Sequence, residues 1–505
     1  MTSMLMIGLD IGTTGARAVL VDDLGDILAV HQSSYSLLTP RPGWAEQRPK
    51  DWEDAAFESL KAVAAKADRP DDVRGIGLTG QMHGLVLVDH SLQPLRPAIL
   101  WCDLRTTAQR RHLESKLGVP TLIGCTGNLL LEGFQAPKLA WVREHESHLL
   151  DRTAHVLLPK DFIRLRLTDE LWTDVSDASG TGYFDPERRV WSQQMLDELE
   201  IDTDWLPGVC ESATVAGRLT TSAAERSGLV AGIPVAAGAG DQPAGGVASG
   251  VISDGDVAIT IGSSGVVFVA TQAYPEALDG RSQCGAHVQP ETWNLMGVTQ
   301  AAGLSLRWFR DRFAPDSSYA ELIEEASASP PGSRGLLWLP YLQGERTPHL
   351  DADARGAIVG LTSAHERSDI TRAVLEGVAF SLLDAADVIG EIGLLMTDFT
   401  LAGGGARSLL WREIVAATFD SSMKIDPEGR GPAFGAALLA ATAVGVFGSV
   451  AEACQATETD RVTVEPDPAL AQVMESNRGR YRELYPALLR PNQKAAEAQL
   501  GGRDP

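Results

Sequence analysis

The alternation of apolar and polar positions repeats at two places in this chain, and both copies predict a β-hairpin. Residues 7–15 read Ile-Gly-Leu-Asp-Ile-Gly-Thr-Thr-Gly, an apolar run with one carboxylate and a turn, and residues 16–22 form a second apolar run. Residues 257–265 read Val-Ala-Ile-Thr-Ile-Gly-Ser-Ser-Gly and again lead into an apolar stretch. Two short apolar runs joined by a Gly-containing turn are typical of hairpins. The spacing of the two copies across 505 residues predicts a duplicated fold.

Both predicted turns have the composition of a phosphate site. Glycines let the backbone approach a ligand, and hydroxyl side chains add donors to the N–H groups of the turn. The donors are Gly12, Thr13 and Thr14 in the first turn and Gly262, Ser263 and Ser264 in the second. Only the first copy has a carboxylate, Asp10, at the position where the second has Thr260. A magnesium ion bound with a nucleotide is therefore expected on the side of the first hairpin.

Further side chains of interest follow two other predicted strands. Gln81, Met82 and His83 come directly after one strand, and Trp101 and Asp103 come after the next. Open α/β sheets bind ligands at strand ends, although a structural His and a core Trp are the alternative interpretation. Residues 75–80 also match a dinucleotide-binding pattern, but a strand follows them where that motif requires a helix N-terminus. The dinucleotide interpretation is therefore rejected.

The junction between the two halves carries a carboxylate. Residues 235–246 read Val-Ala-Ala-Gly-Ala-Gly-Asp-Gln-Pro-Ala-Gly-Gly, a strand that leads into glycines and then into a helix with Pro243 in its first turn. Asp241 and Gln242 are presented at this point. Asp241 has two open interpretations, a helix cap or a base that faces the γ-phosphate of a nucleotide.

A stretch of three consecutive glycines lies in the C-terminal half. Residues 399–407 read Phe-Thr-Leu-Ala-Gly-Gly-Gly-Ala-Arg, a predicted strand that ends in three glycines before a helix. Such a surface would allow a flat adenine to lie against it. The chain contains no Gly-Lys pair, which excludes a P-loop.

Composition and charge narrow the class of partners. A net charge of −24 argues against nucleic acid and anionic membranes. The five cysteines include no closely spaced pair, so we expect neither disulfides nor a zinc site, and a cytoplasmic location. The N-terminus enters a strand within a few residues, without the pattern of a signal peptide. Residues 431–451 are uncharged but rich in Ala and Gly, which favours a buried helix over a membrane span.

In combination, these motifs resemble the FGGY family of carbohydrate kinases, within the actin, sugar-kinase and Hsp70 superfamily. The resemblance covers nearly the whole chain. Beyond the stretches above, its carriers are Trp-Ala-Glu-Gln at 44–47, Ala-Pro-Lys-Leu at 136–139, Ser-Asp-Ala-Ser-Gly-Thr at 176–181, Gly-Glu-Arg-Thr-Pro-His at 344–349 and Gly-Ala-Ile-Val-Gly-Leu at 356–361. It implies an α/β fold of two ribonuclease-H-like domains around a central nucleotide cleft. The first domain is expected at residues 1–245, the second at 246–490, and a disordered tail at 491–505.

The resemblance also implies ATP-dependent phosphorylation of a sugar, with Mg²⁺ as cofactor. Asp241 matches the catalytic base of the family, and Asp10 matches the carboxylate near the metal. The implied sugar-binding positions are Gln81, Met82, His83, Trp101, Asp103 and Gln242. The implied nucleotide-binding positions are Gly12, Thr13, Thr14, Arg17, Gly262, Ser263, Ser264, Gly303, Arg307, Gly404, Gly405 and Ala406.

Within the family, the motifs are most similar to the kinases that convert D-xylulose to D-xylulose 5-phosphate, which implies a ketopentose as substrate. Those kinases usually have Asn after the catalytic Asp, whereas this chain has Gln242, as glycerol kinases do. The second hairpin has Ser263 where Thr is usual. Ribulose, erythritol and glycerol therefore stay open as substrates.

A nucleotide-driven binding protein like actin or Hsp70 is a remote alternative, because it would need a further substrate-binding domain after residue 490. The expected partners are a small sugar and ATP, without nucleic acid or membrane. A homodimer is left open.

Overall fold

The computed structural model describes residues 4–276, 278–426, 429–459 and 461–501, and for residues 492–501 only the backbone. The strands are β1 Leu5–Ile11, β2 Gly15–Val21, β3 Ile27–Ser34, β4 Glu46–Gln47, β5 Val73–Gly80, β6 Val86–Val88, β7 Ala98–Ile99, β8 His155–Leu157, β9 Trp172–Asp174, β10 Phe184–Asp185, β11 Val190–Trp191, β12 Gly208–Cys210, β13 Val215–Arg218, β14 Pro234–Ala236, β15 Ala239–Gly240, β16 Asp256–Ile261, β17 Gly265–Thr271, β18 Gln283–Ala286, β19 Trp293–Thr299, β20 Leu337–Leu339, β21 Ala357–Val359, β22 Asp398–Ala402, β23 Met423–Ile425 and β24 Val462–Val464.

Helices connect these strands. They are α1 Pro49–Ala64, α2 Thr107–Leu117, α3 Val119–Thr126, α4 Gln135–His145, α5 Ser147–Leu150, α6 Pro159–Thr168, α7 Val175–Ala178, α8 Gln193–Leu199, α9 Thr221–Ser227, α10 Asp241–Ala248, α11 Gly303–Phe313, α12 Tyr319–Ala328, α13 Arg367–Gly390, α14 Leu409–Phe419, α15 Gly431–Ala443, α16 Val450–Ala456 and α17 Pro468–Gly501. A 3-10 turn at Gly404–Arg407 follows β22 directly. Across the described residues, no helix combines the length and the apolar character that a membrane span requires.

The chain forms two compact units. The first contains residues 1–254, 270–294 and 430–459, and the second contains residues 255–269, 295–429 and 460–505. This division does not follow the single break expected near residue 245. The difference arises because α15 and α16, which come late in the sequence, pack on elements of the first unit.

The two units repeat one sheet topology. In the first unit the strand order is β3-β2-β1-β5-β14-β13, with the hairpin β1–β2 antiparallel and β5 parallel to β1. In the second unit the order is β19-β17-β16-β22-β23-β24, with the hairpin β16–β17 antiparallel and β22 parallel to β16. In both units the hairpin strand lies at the centre and is flanked by a parallel neighbour. The duplication predicted from the sequence is therefore present in the strand order.

Helix α15 lies in direct backbone contact with the central strands of the first unit. A Cβ atom added at Gly8 of β1 would lie 1.8 Å from Ala433 O, and one added at Gly77 of β5 would lie 1.8 Å from Ala436 O. On the helix, a Cβ at Gly435 would lie 2.0 Å from the carbonyl oxygen of Ala244 in α10. Such contacts are possible only without side chains. The buried helix expected in this stretch is thus confirmed, and glycines determine how closely it packs.

The end of the chain differs from the disordered tail expected at residues 491–505. Helix α17 extends through residues 491–501, which are rich in the helix formers Ala, Glu, Gln and Lys. Residues 502–505 lie outside the described residues.

We predict that Gly77→Ala destabilises the first unit by about 1–3 kcal/mol or more, because the added methyl group would overlap the backbone of α15. The matched control is Gly124→Ala in α3, where nothing lies within 4 Å of an added Cβ and where alanine favours the helix. Thermal unfolding of both variants measures the difference. Equal melting temperatures for the two variants would contradict the close packing of α15 on β5.

Candidate active site

Three parallel strands of the first unit end in register, and candidate residues follow each of them. Ile11 at the end of β1 pairs with Gly80 at the end of β5, and Gly80 pairs with Gly240 at the end of β15. The next positions are the first hairpin turn, Gln81 and Asp241. Because the carboxyl ends of parallel strands meet at one edge of a sheet, these residues occupy the place where α/β sheets bind ligands.

Asp10 and Asp241 form an electrostatically coupled pair of carboxylates. The pKa of Asp10 is raised to about 7, mainly by burial and also by the negative charge of Asp241, while Arg17 opposite Asp10 in the hairpin acts to lower it. Burial also raises the pKa of Asp241 to about 6, against a smaller lowering by hydrogen bonds with Gln242. Two neighbouring carboxylates with raised pKa values are typical of sites that hold a cation or move a proton.

Asp241 does not act as the cap of its helix. The N-cap of α10 is Gly240, without a side-chain hydrogen bond, and Asp241 is the first helical residue. Gln242 Nε2 lies 3.5 Å from Asp241 Oδ1, at the outer limit of a hydrogen bond. Of the two interpretations that the sequence left open, the helix cap is therefore not present, and the role of Asp241 as a base stays a prediction.

The polar atoms next to Asp10 are suited to a charged ligand. Asp10 Oδ1 and Arg17 Nε are buried and have no hydrogen-bond partner among the described residues. Within the same part of the chain, no group of three or more His, Cys, Asp or Glu side chains is placed to hold a metal. Magnesium is usually held by one or two carboxylates together with phosphate oxygens and water. Asp10 fits that form of binding.

Gln81 and Trp101 brace the first hairpin turn. Trp101 Nε1 donates to Thr13 Oγ1 at 3.1 Å, and Gln47 Nε2 donates to Thr13 O at 2.7 Å. Gln81 Nε2 donates to Gln47 Oε1 at 2.9 Å. Tyr35, a neighbour of the turn through β3, donates from its hydroxyl to Gly12 O. The contacts of Gln81 and Trp101 thus support the turn that is predicted to bind phosphate.

The two hairpin turns differ despite their matching sequences. Ile11 pairs with Ala16, and Gly12 N donates to Gly15 O at 3.1 Å. In the second hairpin Ile261 pairs with Gly265, and the N–H of the residue between them at 262 donates to the carbonyl oxygen of residue 264 at 3.0 Å. The second turn is therefore one residue shorter.

The first glycine of each turn, Gly12 or Gly262, has a backbone conformation that other residues can adopt, and there is free space where a side chain would stand. A Cβ at Gly12 would come no closer than 3.4 Å to Gly15 O and would lie 3.8 Å from the Asp10 carboxylate. A Cβ at Gly262 would come no closer than 3.5 Å to Ser264 O. Since the fold itself leaves room for a side chain at both positions, the absence of one is consistent with space reserved for a ligand. Thr14 and Ser263 are exposed at the two turns.

His83, which follows Met82, is held in an unusual backbone conformation. Its φ of 68° lies in the left-handed region, which a non-glycine residue adopts at a cost of about 1–3 kcal/mol. Its Nδ1 lies 2.8 Å from Gly180 O, an arrangement that places the proton on Nδ1 and makes Nε2 an acceptor. Lys138 Nζ donates to His83 O at 2.8 Å, and the His83 ring packs on Phe134 at 4.8 Å between centroids. The imidazole is therefore held by Gly180 and Phe134, and the backbone of His83 is held by Lys138.

Met82 lies against the short strand β15, which ends immediately before Asp241. A Cβ added at Gly240 would lie 2.8 Å from Met82 Cγ and 2.9 Å from Met82 Sδ. The thioether therefore packs on the residue that precedes Asp241.

Asp103 is fully buried, and both of its carboxylate oxygens have protein partners. Oδ2 accepts from Ala45 N at 2.6 Å and from Arg105 Nη2 at 2.7 Å, and Oδ1 accepts from Arg105 Nε at 2.8 Å. This geometry gives the Asp103 carboxylate structural partners, and its contact with a sugar stays a prediction.

The nucleotide-site candidates of the second unit surround the end of β16. Gly303 N donates to Gly262 O at 2.8 Å, and Ala302 N and Leu304 N both donate to Ser263 O at 3.0 Å. A Cβ at Gly303 would lie 2.5 Å from Gly262 O, so the hairpin turn and the start of α11 are in backbone contact. Arg307 is exposed one turn further along this helix.

The three glycines after β22 have different surroundings. Gly403 has a φ of 86°, and a Cβ there would lie 2.6 Å from Ile261 O. A Cβ at Gly405 would lie 2.4 Å from Ile261 Cγ2, whereas one at Gly404 would have nothing within 4 Å. Ala406 is buried beneath the turn. Gly403 and Gly405 are thus required by packing, and Gly404 provides the open surface.

Two buried lysines that support the candidate site were not among the site residues predicted from the sequence. Lys138 is completely buried, donates to His83 O and Gly133 O, and has its pKa lowered to about 7 by burial. Lys160 is also completely buried. The structure supplies the reason for attention to both, since lysines are almost never fully buried without partners.

Comparison with known proteins gives consistent matches over nearly the whole chain. The models of the N-terminal and C-terminal domains of the FGGY family of carbohydrate kinases match residues 5–248 and 257–444. Xylulose kinase from Bacillus subtilis (strain 168) is 37% identical over 482 residues, which cover 95% of this chain and 96% of that protein. The crystal structure of a xyloylose kinase from Brucella ovis matches with a TM-score of 0.90 and 36% identity, over 96% of this chain and 99% of that one. Gluconate kinase from Lactobacillus acidophilus matches with a TM-score of 0.90 and 27% identity, over 96% and 98%.

These matches define the class of protein, a two-domain α/β sugar kinase with the ATPase fold of actin and Hsp70. The chain belongs to the FGGY family of carbohydrate kinases, and it is therefore an ATP-dependent carbohydrate kinase. The fold class, the family and the type of enzyme that the sequence predicted are confirmed.

We predict that Gly404→Ala weakens nucleotide binding without destabilising the protein, because the added methyl group would stand on the open surface expected to receive adenosine. The matched variant Gly405→Ala should instead lower the melting temperature, since its methyl group would overlap Ile261. Calorimetric titration with ADP and thermal unfolding distinguish the two effects. Unchanged ADP affinity in folded Gly404→Ala would show that adenosine does not lie over this residue.

Proposed function

We propose that this kinase phosphorylates the terminal hydroxyl of a ketopentose, converting D-xylulose to D-xylulose 5-phosphate, with Asp241 as general base. The observation that carries the proposal is the contact between Met82 and Gly240, because it brings a sugar-contact candidate directly beside the base. His83 follows Met82 and is held by Gly180 and Lys138. A hydroxyl positioned by these side chains would lie next to the Asp241 carboxylate.

The proposed reaction needs few steps from the protein. Asp241 accepts the proton of the sugar hydroxyl, the resulting oxygen attacks the γ-phosphorus of ATP, and the bond to the β-phosphate oxygen breaks to release ADP. N–H groups and hydroxyls of the hairpin turns bind phosphate oxygens. Asp10 would hold Mg²⁺, and the bound metal would supply positive charge to the phosphates.

The substrate proposal depends on the chemistry at positions 82 and 83. Glycerol kinases resemble this chain but have an Arg and a Glu at the matching positions, a charged pair that grips a short polyol. A thioether and an imidazole leave room for a longer chain, with an apolar contact and one hydrogen-bonding group. The relatives from Bacillus subtilis and Brucella ovis act on xylulose by name and support this choice. Gln242 favours the second candidate, a polyol such as glycerol.

We predict a preference for D-xylulose over glycerol on the order of 10² or more in kcat/KM, because a site that hydrogen-bonds several hydroxyls rejects substrates that leave its polar groups unpaired. A coupled ADP-release assay measures the preference across D-xylulose, D-ribulose, erythritol, glycerol and gluconate. Faster turnover of any other compound in this panel would keep the kinase but replace its substrate.

We also predict that turnover falls as pH decreases through about 6. Asp241 must be ionised to accept a proton, and burial raises its pKa to about 6, so the active form is lost below that value rather than near pH 4. Protonation of Asp10 would act in the same range through the metal. Increasing Mg²⁺ opposes that protonation, so the decline that remains at saturating Mg²⁺ reports Asp241.

Asp241→Asn is the reference variant for this assignment. Loss of a positioned general base should lower kcat by about 10² to 10⁴, near the low end if the transition state is loose, with ATP affinity nearly unchanged. Near-normal turnover of this variant would exclude Asp241 as the base.

A further inference from the structure

A cluster of five ionisable side chains lies entirely inside the first unit. Lys160 Nζ lies 2.6 Å from Asp161 Oδ1, 2.8 Å from Asp174 Oδ1 and 3.4 Å from Asp177 Oδ2. Arg164 Nη2 lies 2.5 Å from the same oxygen of Asp161. All five side chains are at most 1% exposed. Buried charges of this kind contribute little net stability and are costly to break, which raises the question of what they hold in place.

One connection from the cluster reaches the residue before the proposed base. Ser176 Oγ donates to Asp174 Oδ2 at 2.5 Å, since an ionised carboxylate can only accept. The same hydroxyl oxygen accepts from Gly240 N at 3.3 Å. Asp174 is itself held by Lys160 and by Ser212, whose Oγ donates to Asp174 Oδ2 at 2.9 Å.

A second connection fixes the other end of the same segment. Arg164 Nη1 donates to Ala237 O at 2.7 Å. Between the two connections, Gly238 has a φ of 79°, and a Cβ there would lie 1.9 Å from Leu78 O, so the segment is pressed onto β5. The charged cluster therefore holds the short strand β15 at both ends, immediately before Asp241.

We propose that Ser176 is a positioning residue for the phosphoryl transfer, which transmits the fixed position of the buried Lys160–Asp174 pair to the backbone of Gly240 and so orients Asp241. The inference rests on the proposed role of Asp241 as base. Gly240 also packs on Met82, so the same backbone position determines where the base and the sugar-contact side chain stand relative to each other. Misplacement of a catalytic group by about 1 Å can cost up to about 10²-fold in rate.

The structure provides a matched control for this role. Ser176 and Ser212 are both fully buried serines that donate to Asp174 Oδ2, and of the two it is Ser176 that also accepts from Gly240 N. Ser176→Ala and Ser212→Ala each remove one hydrogen bond to the cluster and should lower the melting temperature by similar amounts. Ser176→Ala alone also leaves Gly240 N without its acceptor.

We expect Ser176→Ala to lower kcat by about 10-fold or more, with the KM for ATP within about twofold of the wild-type value. Ser212→Ala should keep kcat within about twofold of wild type, since it leaves the Gly240 contact intact. Ser176→Cys fills the space of the serine but is a poor acceptor, so it should behave like Ser176→Ala. Initial rates with D-xylulose and ATP, together with thermal unfolding, provide the measurements.

The results for the Ser176, Ser212 and Asp241 variants distinguish the positioning role of Ser176 from the proposed function. Equal effects of Ser176→Ala and Ser212→Ala on kcat would overturn the positioning role, and so would the failure of both Ser176 variants to fold while Ser212→Ala folds normally. Near-wild-type kcat in both Ser176 variants, with Asp241→Asn inactive, would reject the inference and leave the proposed function intact. Full activity of Asp241→Asn would instead reject the proposed function on which the inference rests.

Discussion

Direct backbone contact between α15 and the central strands of the first unit is the constraint on which the site depends. Gly8 and Gly77 lie where a side chain would overlap carbonyl groups of the helix, so α15 comes as close to the sheet as two backbones allow. Gly8 and Asp10 share one face of β1, because side chains alternate along a strand. The helix thereby supports β1 and β5, the two strands that lead into the first hairpin turn and Gln81.

The electrostatics of the site follow from that packing. Two carboxylates, Asp10 and Asp241, stand at the ends of strands that are buried on both faces, and burial is the largest cause of the rise in both pKa values. A carboxylate in such surroundings is a stronger base than one in water, which suits proton abstraction from an alcohol. The two carboxylates repel each other, and Arg17 and a bound cation would reduce that repulsion.

The sequence predicted the elements that are encoded locally. The hairpins, the strand ends at Gln81 and Asp241, and the glycines after β22 could be recognised because apolar periodicity and turn residues report local structure. Packing partners could not be read in this way. The return of α15 to the first unit depends on the absence of Cβ atoms at Gly8 and Gly77, and a glycine has the same appearance in a sequence whether it serves a turn or a close contact.

The roles of individual side chains were hardest to predict for polar groups that form hydrogen bonds within the protein. Gln81 and Asp103 are expected to contact the sugar, and the structure shows in addition that Gln81 donates to Gln47 and that Asp103 is paired with Arg105. Lys138 supports His83 from inside the protein. Whether a strand-end residue points to a ligand or back into the protein depends on partners distant in the sequence, such as Gln47 for Gln81, which no local pattern reveals.

The two halves of the duplication differ in the residues and the turn length of their hairpins. The first hairpin keeps a carboxylate at Asp10 and the longer turn, and its unit contains Asp241 and the buried charges behind it. The second has Thr260 in place of the carboxylate, a turn shortened by one residue, and a docking contact with Gly303 together with the open surface at Gly404. With Thr260 at the position that matches Asp10, the second hairpin has one negative charge fewer near a surface expected to bind a polyanionic nucleotide, where an additional carboxylate would weaken binding.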